Sequence, residues 1–343
     1  MPVEFRKECL RARFRSPDGA DWIERNCEVR FDPLLGSSSR IAEGVKLQTA
    51  DAGALEELRL PNHECPFCPE RIERVTPRFR PEIWPEERIR QGDTLVFPNL
   101  VPYSQYAAVA VFSPRHWLSL QDFTPDLIAS NLAAVRRYIR AVYAFDSRAQ
   151  HCAYNINYLY PSGGSLPHPH SQVFLDPYPT TLMRMQQQEA EQYHLQHQGC
   201  YWFELVEAER SAGARFIAEL GNTDWFTAFA PMGFNEVRAV VRDRETLLDL
   251  NDDDIRSIAE GVSHVLGWYE SIRYNSFNLV LYSGPLGGSR SYRMNLAIMT
   301  RTAMAPYYRS DSMYMERMHW EAAVDRRPES LAGDLRNWFA RAL

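Results

Sequence analysis

A chain of 343 residues, 45% of them hydrophobic, can bury a large core as one big domain or as two fused halves. Its formal net charge of −6 argues against broad attraction to nucleic acid or anionic lipid, and no run reaches the roughly 18 uninterrupted apolar residues of a membrane span. Lysine occurs only as Lys7 and Lys46, so there is no Walker-type Gly-Lys-Ser/Thr loop, and bound phosphate would fall to arginine, histidine or backbone N–H groups.

The N-terminal MPVEFRKECLRARFR is charged and lacks an apolar core, so no secretory signal is expected and the protein reads as cytoplasmic. Residues 1–30 read as charged and irregular. CEVRFDPLLGSSSRI (27–41) then alternates into a turn on Asp32-Pro33 and Gly36, as a short strand entering a loop does. Six cysteines in such a chain do not suggest a disulfide framework. Cys9, Cys27, Cys152 and Cys200 stand singly and read as small buried hydrophobes, whereas Cys65-Pro-Phe-Cys68 has metal-ligand spacing.

Residues 76–93 are rich in proline and charge and read as loop. AAVAVF (107–112) is a buried strand by its continuous apolar run. Residues 124–145 form a helix, with Thr124 as N-cap, Pro125 at the first helical position and apolar residues at helical spacing. CAYNINYLY (152–160) is a strand, Gly163-Gly164 a turn, and His168-Pro169-His170 leads the next strand. Residues 225–272 then repeat the order strand, proline turn, strand, polar loop, helix. FNLVLYSGPLGG (277–288) answers YNINYLYPSGG, and YRMNLAIMTR (292–301) answers LPHPHSQVFL, a period of about 125 residues.

The fold class expected is therefore α+β, with two tandem copies of an antiparallel sheet and flanking helices related by a pseudo-two-fold. Residues 1–200 would be an N-terminal half with the metal and catalytic motif, and 201–343 a degenerate repeat. Arg293 and Asn295 stand where the first copy has its two histidines, so only the first half keeps the chemistry. NDDD (251–254) heads a helix and reads as N-cap and first-turn charge rather than a metal cluster.

On an extended strand His168 and His170 face the same side. Zinc takes four N or S ligands, of which Cys65 and Cys68 supply two. His168 and His116, the latter in FSPRH, are the expected remaining pair, with His63 as a competing ligand. Four protein ligands make a closed, structural site. His170 is then left facing the same cavity. A neutral imidazole is a good nucleophile towards phosphorus, and a backbone carbonyl holding Nδ1–H would leave Nε2 free. Gln172, on the same face, can donate to phosphoryl oxygens, and Gly163, Gly164 and Ser165 suit a loop whose N–H groups approach phosphate closely. The alternative is that His170 is simply a satisfied core histidine.

This arrangement resembles the galactose-1-phosphate uridylyltransferase family, the transferase branch of the histidine-triad superfamily, over most of the chain. His168-Pro169-His170-Ser171-Gln172 is similar to its His-Pro-His-Gly-Gln signature, with serine for glycine. RFDPLLG (30–36), Cys65-Pro-Phe-Cys68 and FSPRH are similar to its other motifs, and the doubled architecture matches its histidine-triad-like halves. The resemblance implies a double displacement with a nucleoside monophosphate carried on His170. Gln172 would stabilise the phosphoryl group, and Cys65, Cys68, His116 and His168 would hold one structural zinc. It further implies nucleotide binding by Phe67, Phe97, Asn99, Asn157, Gly164 and Ser165, and a homodimer.

Three departures qualify the resemblance. Leu100 replaces the acidic residue after Asn99, Arg293 and Asn295 replace a second-half histidine pair and imply no metal there, and Arg40 in SSSRIAEG is only a candidate phosphate contact. The first expectation is thus a nucleotidyltransferase acting between a nucleotide sugar and a sugar-phosphate-like acceptor. A nucleotide-sugar or dinucleoside polyphosphate phosphorylase or hydrolase using the same histidine is the second, and a zinc-stabilised nucleotide-binding protein without turnover the third. Residues 305–320, rich in aromatics and methionine, read equally as a subunit surface or as core.

Overall fold

The computed structural model describes residues 3–42, 44, 47–50, 55–59, 64–305 and 309–342; His63 lies outside the described residues. A small sheet starts with β1 (Lys7–Arg15), β2 (Trp22–Phe31) and β3 (Ser38–Ala42), followed by the short helices α1 (Glu56–Arg59) and α2 (Pro69–Val75). The large sheet opens with β4 (Ile89–Gln91), β5 (Thr94–Pro98) and β6 (Tyr106–Val111). Helix α3 (Pro125–Phe145) leads to β7 (His151–Tyr158) and β8 (His170–Asp176). Helices α4 (Thr181–His197) and α5 (Tyr201–Ala212) precede β9 (Phe216–Leu220), β10 (Thr223–Thr227) and β11 (Val237–Val241). Then come α6 (Asp252–Ser271), β12 (Phe277–Tyr282), β13 (Asn295–Thr300), α7 (Tyr314–Met318), β14 (Ala322–Val324) and α8 (Pro328–Ala342).

The large sheet has ten strands in the order β4-β5-β6-β8-β7-β12-β13-β11-β10-β9, all pairs antiparallel. Read inward from either edge, the connectivity is the same, and the two sets of five strands meet where β7 pairs with β12. Alternation along each strand divides the faces. Tyr154, Ile156, Val173, Leu175, Leu279, Leu281, Leu296 and Ile298 point into one core with residues of α3 and α6. The opposite face carries a smaller cluster of Phe97, Val109 and Val111 under Phe67 and Ile72, beside His170.

Local signals were kept at both long helices. Thr124 Oγ1 accepts from the Leu127 N–H and Pro125 opens α3. Asn251 and Asp254 form a reciprocal capping box at α6, so two residues of the NDDD run work as a cap. The N-terminal region differs from its irregular reading: β1 and β2 pair over nine residues, with β1 exposed along its whole length. A strand with no buried face, as β1 is, carries no period-2 hydrophobic signal, which is why charge dominates its sequence. Cys9 is accordingly exposed, and Cys27 and Cys200 are half-buried, rather than core residues; Cys152 is buried. Residues 76–93 are loop apart from β4. Tyr314, Met318 and Trp320 are exposed, which removes the core reading for that part of 305–320; Tyr307 and Tyr308 lie outside the described residues.

Candidate active site

Cys65, Cys68, His116 and His168 come together from three segments, all buried, with their ligand atoms within 4.8 Å of one another. Cys68 sits at the N-cap of α2, with Pro69 at its first position. Cys68 Sγ lies 3.2 Å from His116 Nδ1 and 3.7 Å from His168 Nδ1, and Cys65 Sγ also lies 3.7 Å from His168 Nδ1. Tetrahedral Zn–S and Zn–N bonds would place ligand atoms roughly 3.3–3.8 Å apart, so the four donors fit one metal ion. His168 Nε2 donates to the Ser113 carbonyl at 3.0 Å, which directs its Nδ1 lone pair at the sulfurs. Burial, with Cys65 adding to it, pushes the Cys68 thiol up to about 12, and burial pulls His168 down to about 4. A cation is what such a buried group needs to hold thiolates.

His168 itself does not lie on a strand. The chain bends through it, and β8 begins at His170. The two rings nonetheless meet one wall, Phe67, at centroid distances of 6.1 and 5.2 Å. His170 is 7% exposed, and its Nδ1 lies 2.8 Å from the His168 carbonyl. A carbonyl only accepts, so Nδ1 carries the proton and Nε2 keeps its lone pair. Burial lowers the His170 pKa against the raising effect of that hydrogen bond, which favours the neutral ring. The chemistry available is that of an oriented, uncharged nitrogen nucleophile.

The neighbouring residues divide into those brought to this face and those held elsewhere. Phe67 stacks edge-on to Phe97 at 5.5 Å, closing one aromatic wall. Asn99, just past β5, hydrogen-bonds Ala107 through its backbone and caps Val101 with its side chain. Asn157 lies on β7, Gln172 on β8 two residues beyond His170, and the Gly163–Ser165 loop joins the two strands. Gly164 is buried in that loop, and a Cβ there would sit 2.9 Å from the Asn157 carbonyl and 3.0 Å from that of Leu159. Both obstacles are backbone, so Gly164→Ala is expected to cost about 1–3 kcal/mol of stability, seen as a lowered Tm, and to displace the loop. An unchanged Tm would show that the loop has slack. Arg40 is placed in the small sheet and ion-paired to Glu321 at 2.5 Å.

Ser171, at the signature's glycine position, faces the opposite side of the sheet. It is fully buried and donates to Asn131 of α3, which also accepts from Tyr154 and donates to the Ala110 carbonyl. The substitution thus leaves the His170 face alone. Ladder register also locates the second-half counterparts: Asn295 stands opposite Val240 as His170 stands opposite Val111. The Asn131 network and the Ser113 carbonyl were missed in the sequence; a lone Asn inside the apolar stripe of α3 was the only available sign.

A protein of Archaeoglobus fulgidus, described only as uncharacterized, is 32% identical over 335 residues, spanning 97% of this chain and 98% of that protein. The two chains belong to one family. Beyond that relative, the fold is shared with proteins of known structure. An ADP-glucose phosphorylase from Arabidopsis thaliana, solved with bound ADP-glucose, superposes with a TM-score of 0.69 over 90% of this chain and 98% of its own, at 18% identity. A GalT-like protein from Arabidopsis thaliana gives 0.69 over 90% and 98%, at 17% identity. A uridylyltransferase gives 0.68 over 92% and 99%, at 21% identity. This chain thus has the fold of a GalT-like protein and a uridylyltransferase, as the resemblance of its motifs implied. No family model matches the chain.

Proposed function

We propose that this protein is a nucleotidyltransferase that moves a nucleoside monophosphate from a nucleotide sugar to a phosphate acceptor by way of His170. The observation that carries the reading is the hydrogen bond from His170 Nδ1 to the His168 carbonyl, which leaves Nε2 as an aimed lone pair. In the first step Nε2 attacks the α-phosphorus, and the bond to the bridging oxygen breaks with its electron pair leaving on the sugar phosphate. In the second, an oxygen of the acceptor phosphate attacks the same phosphorus, and the P–N bond breaks to restore the neutral ring. Gln172 and the Gly163–Ser165 loop would donate to the phosphoryl oxygens, and Phe67 and Phe97 would form the aromatic wall for the base.

The Cys65, Cys68, His116 and His168 group is read as a structural zinc site, because four protein donors leave no open position. Zinc there would fix the segments around His170. The symmetric strand order and the matching registers at His170 and Asn295 support an origin by duplication, with the second copy lacking the nucleophile. The folds of ADP-glucose phosphorylase and uridylyltransferase are alike, so a phosphate monoester and inorganic phosphate are both acceptors to be tried.

The test is intact-mass spectrometry after incubation with UDP-, ADP-, GDP- and CDP-glucose, quenched in alkali because phosphohistidine is acid-labile. A mass gain of one nucleoside monophosphate is expected with one donor, and none in His170→Ala. Turnover of a donor by His170→Ala at the wild-type rate would end the covalent reading.

A further inference from the structure

The loop that leads to His170 is held by a residue of the second five-strand set. Asn278, on β12, pairs directly with Asn157 on β7 at the junction of the two five-strand sets. Its Nδ2 donates to Asn157 Oδ1 at 2.6 Å and to the Ser162 carbonyl at 2.9 Å, just ahead of Gly163-Gly164. Its Oδ1 accepts from Arg301 Nη1 at 2.7 Å. Arg301 is clamped in turn by Asp311, with Nε to Oδ2 at 2.7 Å and Nη2 to Oδ1 at 2.5 Å, and Asp311 also caps the Thr302 N–H.

This chain has only one polarity. A guanidinium has donors and no acceptor, so the atom of Asn278 facing Arg301 must be its oxygen. The Ser162 carbonyl demands the same orientation independently, since it can only accept from the Asn278 nitrogen. Asn157 must then offer its oxygen to Asn278, which leaves its own NH₂ as the group free for a ligand. We propose that Arg301 and Asn278 are positioning residues that lock Asn157 as a hydrogen-bond donor to the phosphate of the nucleotide. The assignment rests on the reading of His170 as a nucleotidyl carrier. It explains a feature of the second half that the degenerate histidine positions do not: an arginine held by a buried carboxylate 4% exposed, aimed at the first half's loop.

The experiment compares wild type, Asn278→Asp, Arg301→Lys and Arg301→Met, using the nucleoside monophosphate and the nucleoside of whichever base the adduct assay identifies. Asn278→Asp keeps the shape and can accept from Arg301, but its carboxylate cannot donate to Asn157. It should weaken nucleoside monophosphate binding roughly tenfold or more while leaving nucleoside binding within about twofold, and should raise KM for the donor more than it lowers kcat. Arg301→Lys, still a pure donor, should recover much of the loss seen in Arg301→Met. Equal losses for nucleotide and nucleoside would mean a distorted loop rather than a set polarity, and would overturn the relay. Wild-type affinities in Asn278→Asp, with adduct formation intact, would overturn it while leaving the functional reading standing. A wild-type protein that forms no adduct and binds no nucleotide removes both.

Discussion

Stripping the metal from the Cys65, Cys68, His116 and His168 group, or replacing Cys68 with serine, is expected to lower Tm by roughly 10–20 °C. Structural zinc supplies on the order of 10–16 kcal/mol of apparent binding free energy in isolated zinc-finger peptides. Only part of that is needed here, because the large sheet holds its own core; a loss of several kcal/mol at about 2–4 °C per kcal/mol gives the range stated. The physical cause is the burial of all four side chains. Once the cation is gone, the two thiols must be protonated, and the Cys65–Cys68 loop loses its bonds through the metal to the His116 and His168 segments. Metal analysis should find one ion per chain, and calorimetry with a strong chelator should show the shift. A metal-free protein with an unchanged Tm would refute the structural role. Since His168 also supplies the carbonyl that orients His170, the stripped protein should lose adduct formation at temperatures where it is still folded.

Arg30→Met is expected to cost about 3 kcal/mol at pH 7, a Tm deficit of roughly 6–12 °C. Arg30 is 1% exposed, forms a fork with Glu329 at 2.8 and 2.8 Å, and reaches Glu28 at 2.5 Å. Arg215 joins from the other side, to Glu329 at 3.1 Å and to buried Glu209 at 3.0 Å. The network ties β2 to α5 and α8, so removing its central cation strands carboxylates in partly dry surroundings. Burial alone would raise the Glu329 pKa, but the hydrogen bonds and charge of Arg30 overcome it and bring the carboxyl to about 2. That stabilisation is complete above the ordinary carboxylate value near 4.5 and is lost as pH falls through about 2. Through Glu329, the Arg30→Met deficit should be constant from pH 7 to 5 and shrink towards pH 3. Glu209 has the opposite slope, since burial lifts it to about 7 against the pull of Arg215; its contribution is full below 4.5 and fades as pH rises through 7. Arg30 is one of the charges holding Glu209 down, so its removal raises Glu209 further and adds to the deficit as pH rises towards 7. Melting curves at pH 7, 5 and 3 are the check, and a deficit independent of pH would show lost packing rather than lost charge pairing.

Much of the site could be read without coordinates because its signals are local. Cys65-Pro-Phe-Cys68 must place two sulfurs close together whatever surrounds them, and His168-Pro169-His170 keeps two imidazoles within one turn of chain. The helix at 125–145 announces itself through Thr124, Pro125 and its periodicity, all properties of a few adjacent residues. Even the matching halves are visible as a repeated order of apolar runs, because burial imposes that order on each strand and helix in turn.

Other parts were silent for an equally physical reason. Strand β1, exposed along its whole length, has no face to bury and so leaves no pattern. That His168 turns off the strand to meet the sulfurs, and so presents its carbonyl to His170, follows from where Cys65, Cys68 and Ser113 lie in space. Arg40 looked like a phosphate ligand beside a serine run, yet Glu321, some 280 positions away, holds it. Arg301 and Asn278 carried no motif at all, and they acquire a role only where β7 meets β12. The sequence by itself thus determined which cysteines and histidines were candidates for the site and the elements that bear them, since each depends on neighbours along the chain. The tertiary structure decided the tautomers, the hydrogen-bond polarity and the pairing of charges, since these depend on groups that meet only after the ten strands have closed into one sheet.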